Sequence, residues 1–341
     1  MKITKITTEV KRIELKTPFK TALRTATHVE FVRVYVTDEN GFCTVGEAPA
    51  TKAITGEDIE IILNSIESIK EELLNLTPRE ALKTLHLGCK IGSSAKAALD
   101  TAFICLIAKE QKKELYEEFG TTNFTPLKTD VTISLNSAEI MLSDAKKAFN
   151  EGMEILKVKV GSDISHAIEV IKNISCELPD AKILVDANQA WTLEDSLLFA
   201  KSMQGVKIEL IEQPVIASDL FALKEITEAS NIPILADEAV FTLEDAKKVI
   251  ESKSADMINI KLMKCGGVTK AIEILEYARK KGIVCMLGSM LEGPYSINIA
   301  LHLAFAYRDV IRYIDLDSPL LYKEMPTELD FEFRGCEISL K

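Results

Sequence analysis

From about Thr125 the chain repeats a single unit: a short β-branched run, a polar loop, then an amphipathic helical stretch. Such runs fall at 131–133, 156–160, 183–185, 208–211, 234–236, 257–260, 284–286 and 312–314. Strands alternating with helical patterns predict parallel strands joined by crossover helices. Five of the runs lead into a charged residue, Lys159, Asp186, Glu212, Asp237 and Lys261, at intervals of roughly 25 residues, close to the ~30 per unit of an eightfold βα barrel. Regular recurrence at strand ends is hard to produce by surface chance. It predicts an α/β fold with a TIM-like barrel over residues 123–318, whose strand C-termini converge on one mouth.

One run departs from the apolar habit of a buried strand. In Ile155-Leu156-Lys157-Val158-Lys159-Val160-Gly161 two lysines interrupt the pattern. Alternation puts Lys157 and Lys159 on one face with Ile155, and Leu156, Val158 and Val160 on the other. Taken alone, an edge strand with solvated lysines is the better reading, and the rest of the chain has to decide. Inside a barrel mouth, neighbouring ammonium groups in poor solvation would draw a lysine pKa down from ~10.4 and make it a usable base.

Residues 1–122 follow a different habit: strand-like segments at 3–15 and 30–37, a turn at Asp38-Glu39-Asn40-Gly41, then helical patterns, which together read as an α+β domain. Two loops stand out, near 17–26 and 49–56, the first combining Pro18, Phe19 and Arg24. The Ala- and Leu-rich stretch 93–109, with Asp100 inside it, reads as a buried helix. Residues 319–341 form a short tail. A length of 341 residues with 47% hydrophobic content suits one large barrel plus a smaller domain. The formal charge of -11, without a basic block, argues against nucleic acid or an anionic membrane and leaves small molecules as the expected partners. The 7 cysteines are scattered without a Cys-X-X-Cys pair and read as free thiols in a reducing compartment. The N-terminus begins in strand-like alternation, and no apolar run is long enough for a signal or membrane span, so the cytoplasm is the expected location.

The chemistry concentrates at the strand ends. Asp186, Glu212 and Asp237 end successive strands, and an all-oxygen carboxylate set suits Mg²⁺. The only histidines, at 28, 86, 166 and 302, lie off these ends, which disfavours zinc. A lone acid there would be a helix cap or a solvated loop residue; three in succession weaken that reading. Lys261 ends the sixth strand, so lysines from the second and sixth strands flank the carboxylates from opposite sides. That is what a two-base reaction needs: one lysine removes a proton α to a carboxylate, giving an enediolate whose charge a metal would stabilise, and the other returns it. Asp315 and Asp317, in Ile314-Asp315-Leu316-Asp317-Ser318-Pro319, fit a second metal site, a helix cap or a receptor for a substrate ammonium.

With these motifs in hand, the chain resembles the enolase superfamily, in its muconate-lactonizing subgroup, and more closely the dipeptide epimerases there. The likeness runs from Thr17-Pro18-Phe19-Lys20-Thr21-Ala22-Leu23-Arg24 through the Lys-X-Lys strand and Asp-X-Asn to Asp315-Leu316-Asp317. It implies a modified (β/α)7β barrel under an α+β capping domain, with the tail returning to the cap. It further implies one Mg²⁺ per subunit on Asp186, Glu212 and Asp237, supported by Asn188 and Glu238. Lys159 and Lys261 would be the paired acid/base residues, and Lys157 their electrostatic neighbour. Phe19, Arg24, Ile54, Thr132 and Met290 would surround the substrate, and Asp315 with Asp317 would receive its α-ammonium. A guanidinium at Arg24 takes a carboxylate in a bidentate pair, so an acidic side chain is implied at the epimerised residue. Epimerisation of L-Ala-D/L-Glu, in the turnover of murein-derived dipeptides and in a possible homo-oligomer, is the function expected.

Alternatives remain on sequence grounds. Cycloisomerases, o-succinylbenzoate synthases and N-acylamino acid racemases of the same subgroup could share the metal and the lysines but lack a dipeptide ammonium. A Schiff-base aldolase would use a barrel lysine without metal. A non-catalytic Mg²⁺- or peptide-binding protein would keep the site geometry without proton exchange.

Overall fold

The computed structural model describes residues 1–22 and 24–341; Leu23, inside the first expected loop, lies outside the described residues. The chain opens with an antiparallel sheet of order β1-β2-β3, formed by β1 (Ile3–Lys20), β2 (Thr25–Asp38) and β3 (Cys43–Pro49). Four helices follow, α1 (Lys52–Thr55), α2 (Ile59–Leu73), α3 (Pro78–Leu87) and α4 (Ser93–Glu110). In α2 the buried positions Ile62, Ile66, Ile69 and Leu73 recur at helical spacing, and Asp58 caps its start by accepting from the Ile61 N–H. They pack with Val32, Val34 and Val36 of β2 and with the Ala-rich face of α4 in one apolar cluster. The close approach of β3 to α4 depends on Gly46, where a Cβ would fall 1.8 Å from the Ala98 carbonyl oxygen.

Helix α4 is buried on nearly every side, as expected. Its Ala98, Leu99 and Phe103 belong to the cluster under the first sheet, whereas Ala97 and Ile104 belong to the core of the second half of the chain. Asp100 is explained by the same position. Its carboxylate accepts from the Val268 N–H (2.7 Å) and pairs with His86 (2.7 Å), capping the helix Val268–Lys281.

The second half holds the eight expected strands in parallel, in spatial order of sequence: β5 (Val131–Ile133), β6 (Ile155–Lys159), β7 (Lys182–Asp186), β8 (Ile208–Glu212), β9 (Ile234–Ala236), β10 (Met257–Lys261), β11 (Val284–Gly288) and β12 (Ile311–Asp315). A short β4 (Leu127–Lys128) precedes them. The Asp130 N–H donates to the Ile314 carbonyl (3.0 Å) where first and last strands meet. Among the described residues, seven helices of ten or more residues link the eight strands, giving the (β/α)7β form. Leu156, Val158, Ile183, Val185, Ile211, Ile258 and Leu287 face outward into these helices. Leu184, Leu210, Leu235, Met257 and Met286 face inward and fill the barrel floor with Ile155, Val284 and Tyr313. One step further along each strand, the same inner face carries the polar residues. After β12 the chain turns through Ser318–Leu321, and β13 (Phe331–Arg334) and β14 (Glu337–Leu340) form an antiparallel sheet with β4 in the order β13-β14-β4. Tyr322 bridges to Leu15 of β1.

Two local expectations differ. The first strand does not stop near residue 15. It continues to Lys20 through an irregularity between Glu14 and Phe19, after which Phe19 pairs with Ala26. Pro18 is tolerated because β1 is an edge strand and its ladder slips there. The loop at 49–56 carries one helical turn, α1, and β3 was not anticipated. No helix among the described residues is long and apolar enough to cross a membrane.

Candidate active site

The parity that puts Leu184 on the floor puts Asp186 at the mouth, and the same holds for Leu210 and Glu212, Leu235 and Asp237, and Ile155, Lys157 and Lys159. Lys157 is fully buried, with its ammonium 2.6 Å from both Glu212 and Asp315 and 3.2 Å from Asp186. Lys159 reaches Asp186 at 2.5 Å. Across the barrel, Lys261 meets Asp237 at 2.6 Å. Asn259, on β10, donates to Glu212 (2.8 Å), while Asn188 donates to Glu238 (3.4 Å) and, through its backbone, to Asp186 (3.0 Å). The turns that follow β7 and β8 are strained: Asn188, Gln189 and Gln213 have φ of 43°, 68° and 37°. Such conformations in non-glycine residues persist where the surroundings over-determine them. Here Gln213 accepts from the Asp237 N–H (2.9 Å), tying the ends of β8 and β9 together.

The electrostatics correct the expectation of a depressed pKa at Lys157. Burial pulls the Lys157 ammonium down, but Asp315, Glu212, Asp186 and Asp130 outweigh it and hold it well above its ordinary value. Lys261 is raised for the same reason, chiefly by Asp237 against its own burial. The sequence displayed the adjacent lysines but not the carboxylates facing them. Those acids separate by environment. Asp186 and Asp237 stay below the usual range despite burial, because lysines surround them. Glu212 is pushed up to about 7 by burial and Asp186, and Glu238 to about 8 by burial and Asp237.

Above these groups opens a cleft. It brings together Phe19, Arg24, Ile54, Thr132, Lys159, Asn188, Glu238, Lys261, Met290, Asp315 and Asp317 from the expected set. Lys157, Asp186, Glu212 and Asp237 lie beneath it rather than on its wall. Arg24 is half-buried, has no ion-pair partner among the described residues, and burial lowers its pKa. The hairpin arm that carries it is tied to the barrel rim by the Leu135 N–H to the Lys20 carbonyl (3.1 Å) and the Lys20 N–H to the Ser134 hydroxyl (3.2 Å). Asp317 accepts from the Thr132 N–H (2.7 Å), and burial beside Asp315 pushes it up to about 6.

Two groups escaped the sequence reading. Lys264 donates to Asp237 (2.5 Å) and to the Asn259 carbonyl (3.0 Å), from the single turn Leu262–Cys265. A second lysine three residues after Lys261, in an apolar stretch, was its signal. Asp130 lies against Asp315 and Asp317, one oxygen of each within 4.8 Å of the others. Among the described residues this trio, and not Asp186, Glu212 and Asp237, is the set of acids whose oxygens already converge.

Comparison with known proteins bears on the whole chain. Residues 2–120 match the family described as mandelate racemase / muconate lactonizing enzyme, N-terminal domain, and residues 141–341 match enolase C-terminal domain-like. An L-amino acid-D/L-Glu epimerase of Sulfurimonas denitrificans is 69% identical, over 99% of both chains. The substrate-liganded L-Ala-D/L-Glu epimerase of Bacillus subtilis superposes with a TM-score of 0.94 at 38% identity, over 100% of this chain and 97% of that one. A dipeptide epimerase of Enterococcus faecalis, complexed with Mg and L-Leu-L-Tyr, gives 0.93 at 32% identity, over 100% and 98%.

Proposed function

The chain belongs to the mandelate racemase / muconate lactonizing enzyme family of the enolase superfamily, and from that premise we infer that it is a Mg²⁺-dependent isomerase, a dipeptide epimerase acting on L-Ala-D/L-Glu. The observation that carries this reading is the pair of lysines, Lys159 on the second barrel strand and Lys261 on the sixth, lining one cleft from opposite sides of an eight-stranded barrel. One ammonium deprotonated and one protonated is the arrangement that removes an α-proton from one face of a carbon and delivers a proton to the other. Asp186, Glu212 and Asp237 are the residues that would hold the ion. The donor set fits it: three buried carboxylates on adjacent strand ends, all oxygen, with Asn259 orienting Glu212 and Gln213 orienting the backbone of Asp237. Bound there, Mg²⁺ supplies a Lewis acid for charge developing on the substrate carboxylate.

The remaining groups sort by charge. Lys157, held among Glu212, Asp315 and Asp186, stays cationic beneath the reacting carbon. Asp315 and Asp317 receive the dipeptide's ammonium, which distinguishes this chemistry from that of N-acylated substrates. Arg24, cationic, half-buried and without an acidic partner among the described residues, takes the glutamate side chain. Turnover of murein-derived dipeptides is the role this reading implies. Proton NMR of L-Ala-L-Glu in D₂O with enzyme and Mg²⁺ tests it, with exchange of the Glu α-proton and appearance of L-Ala-D-Glu as the expected result. No exchange would overturn the reaction; exchange with L-Ala-L-Lys instead would overturn only the side-chain assignment.

A further inference from the structure

Asp130 takes no part in the chemistry described so far, yet it occupies a demanding position. It lies two residues before Thr132 and so shares the inner face of the barrel. It is fully buried, and as a carboxylate it accepts no hydrogen bond at either oxygen, while its side chain lies within hydrogen-bonding reach of Asp315. A buried charge without a partner is costly, and a buried polar group left alone calls for a reason. Its neighbours deepen the problem, since one oxygen each of Asp130, Asp315 and Asp317 fall within 4.8 Å of one another. Asp315 is pinned by Lys157 (2.6 Å), and Asp317 by the Thr132 N–H (2.7 Å). The titratable groups bearing on Asp130 are Lys157 from β6, Asp315 from β12 and Asp317 from the loop beyond. Lys157 is the only cation among them, and it is shared with Glu212 and Asp186. The trio therefore sets three carboxyl groups against one cation that it does not have to itself.

We propose that Asp130 is a positioning residue for the ammonium end of the dipeptide: in the free enzyme it is a neutral acid donating to Asp315, and it yields that proton to solvent as the ammonium enters. One cation replaces another, so the O–H bond of Asp130 breaks, the proton leaves by way of Asp315, which lines the cleft, and the net charge of the buried cluster is unchanged. This accounts for a carboxylate kept where no donor satisfies it. Burial, and after it Asp315, raise its pKa well above the ordinary value, in keeping with the neutral form. The inference rests on the assignment of Asp315 and Asp317 as the ammonium receptor.

Its sign follows from competition. Protons and the substrate ammonium seek the same cluster, so binding of L-Ala-L-Glu weakens as pH falls. The test is Asp130→Asn, which keeps shape and a donor but cannot ionise. The expected result is a KM for L-Ala-L-Glu about tenfold higher at pH 8, with a flattened pH dependence and an unchanged inhibition constant for N-acetyl-L-Ala-L-Glu, which has no ammonium, as a competitor. An unaltered KM and pH profile, or an equal rise for the N-acetyl compound, would overturn the inference, since a merely structural role affects both compounds alike. The unsubstituted enzyme gives a second readout that needs no variant. Calorimetric titration with L-Ala-L-Glu near pH 6.5, in two buffers of different ionisation enthalpy, is expected to show release of up to about one proton per site; none, or uptake, overturns the proposal. If the unsubstituted enzyme leaves the Glu α-proton unexchanged in D₂O, the functional reading itself has failed. Exchange without proton release removes this inference alone.

Discussion

Replacing Arg24 by leucine is the sharpest test of substrate choice. The guanidinium lines the cleft, is half-buried and has no ion-pair partner among the described residues. Its desolvation is therefore incurred on folding and not when substrate binds. A unit pair at 4 Å gains about 4 kcal/mol at an effective dielectric of 20, and after stripping water from the substrate carboxylate about 3 kcal/mol is a reasonable net value for a close, bidentate pair. At 1.36 kcal/mol per tenfold, Arg24→Leu lowers kcat/KM for L-Ala-L-Glu about 150-fold. The loss is specific to the side chain, so a neutral substrate such as L-Ala-L-Leu changes little. Polarimetric or NMR rates for both substrates, with kcat and KM resolved, decide the matter. A loss below about fivefold for the glutamyl substrate, or equal losses for both, refutes the pairing.

Three further outcomes are expected. Lys159→Ala and Lys261→Ala each stop interconversion, by about 10³-fold or more, while each keeps D₂O exchange with one epimer only; exchange with both epimers in either variant contradicts the two-base assignment. Asp315→Asn combined with Asp317→Asn abolishes turnover of L-Ala-L-Glu, and undiminished turnover would return the assignment to an enzyme of N-acylated or lactone substrates. Gly46→Ala, whose Cβ would sit 1.8 Å from the Ala98 carbonyl oxygen, destabilises by about 3 kcal/mol, read as a lower midpoint in urea with an unchanged slope.

The barrel was legible because its strands obey local rules. Period-two alternation sent Lys157 and Lys159 inward and Leu156 and Val158 outward, and both faces are found as expected. The residues ending the strands were visible for the same reason, since parity and spacing are properties of a short window. What was hidden is pairwise and distant. Lys157 meets Asp315 across 158 positions of sequence, and no local pattern announces that the lysine's neighbours are mostly acids. The direction of its pKa shift was misjudged for that reason. Asp130 could have been found by carrying parity two residues back from Thr132, but its lack of donors is a fact of packing. Residues 17–20 read as loop because Pro18 usually ends a strand, whereas the pairing of Phe19 with Ala26 carries the ladder past it.

The attachment of the β1–β2 arm to the barrel has a bearing on substrate choice. Arg24 rides on that arm, while both lysines and the three strand-end acids belong to the barrel itself. Among the described residues, hydrogen bonds at Leu135 and Ser134 join arm and rim through the main chain of Lys20, so these bonds place no demand on the identity of the side chains at the tip. On the proposed reading, exchange of residues around position 24 changes the side chain that the cleft accepts while the lysines and acids of the barrel stand untouched.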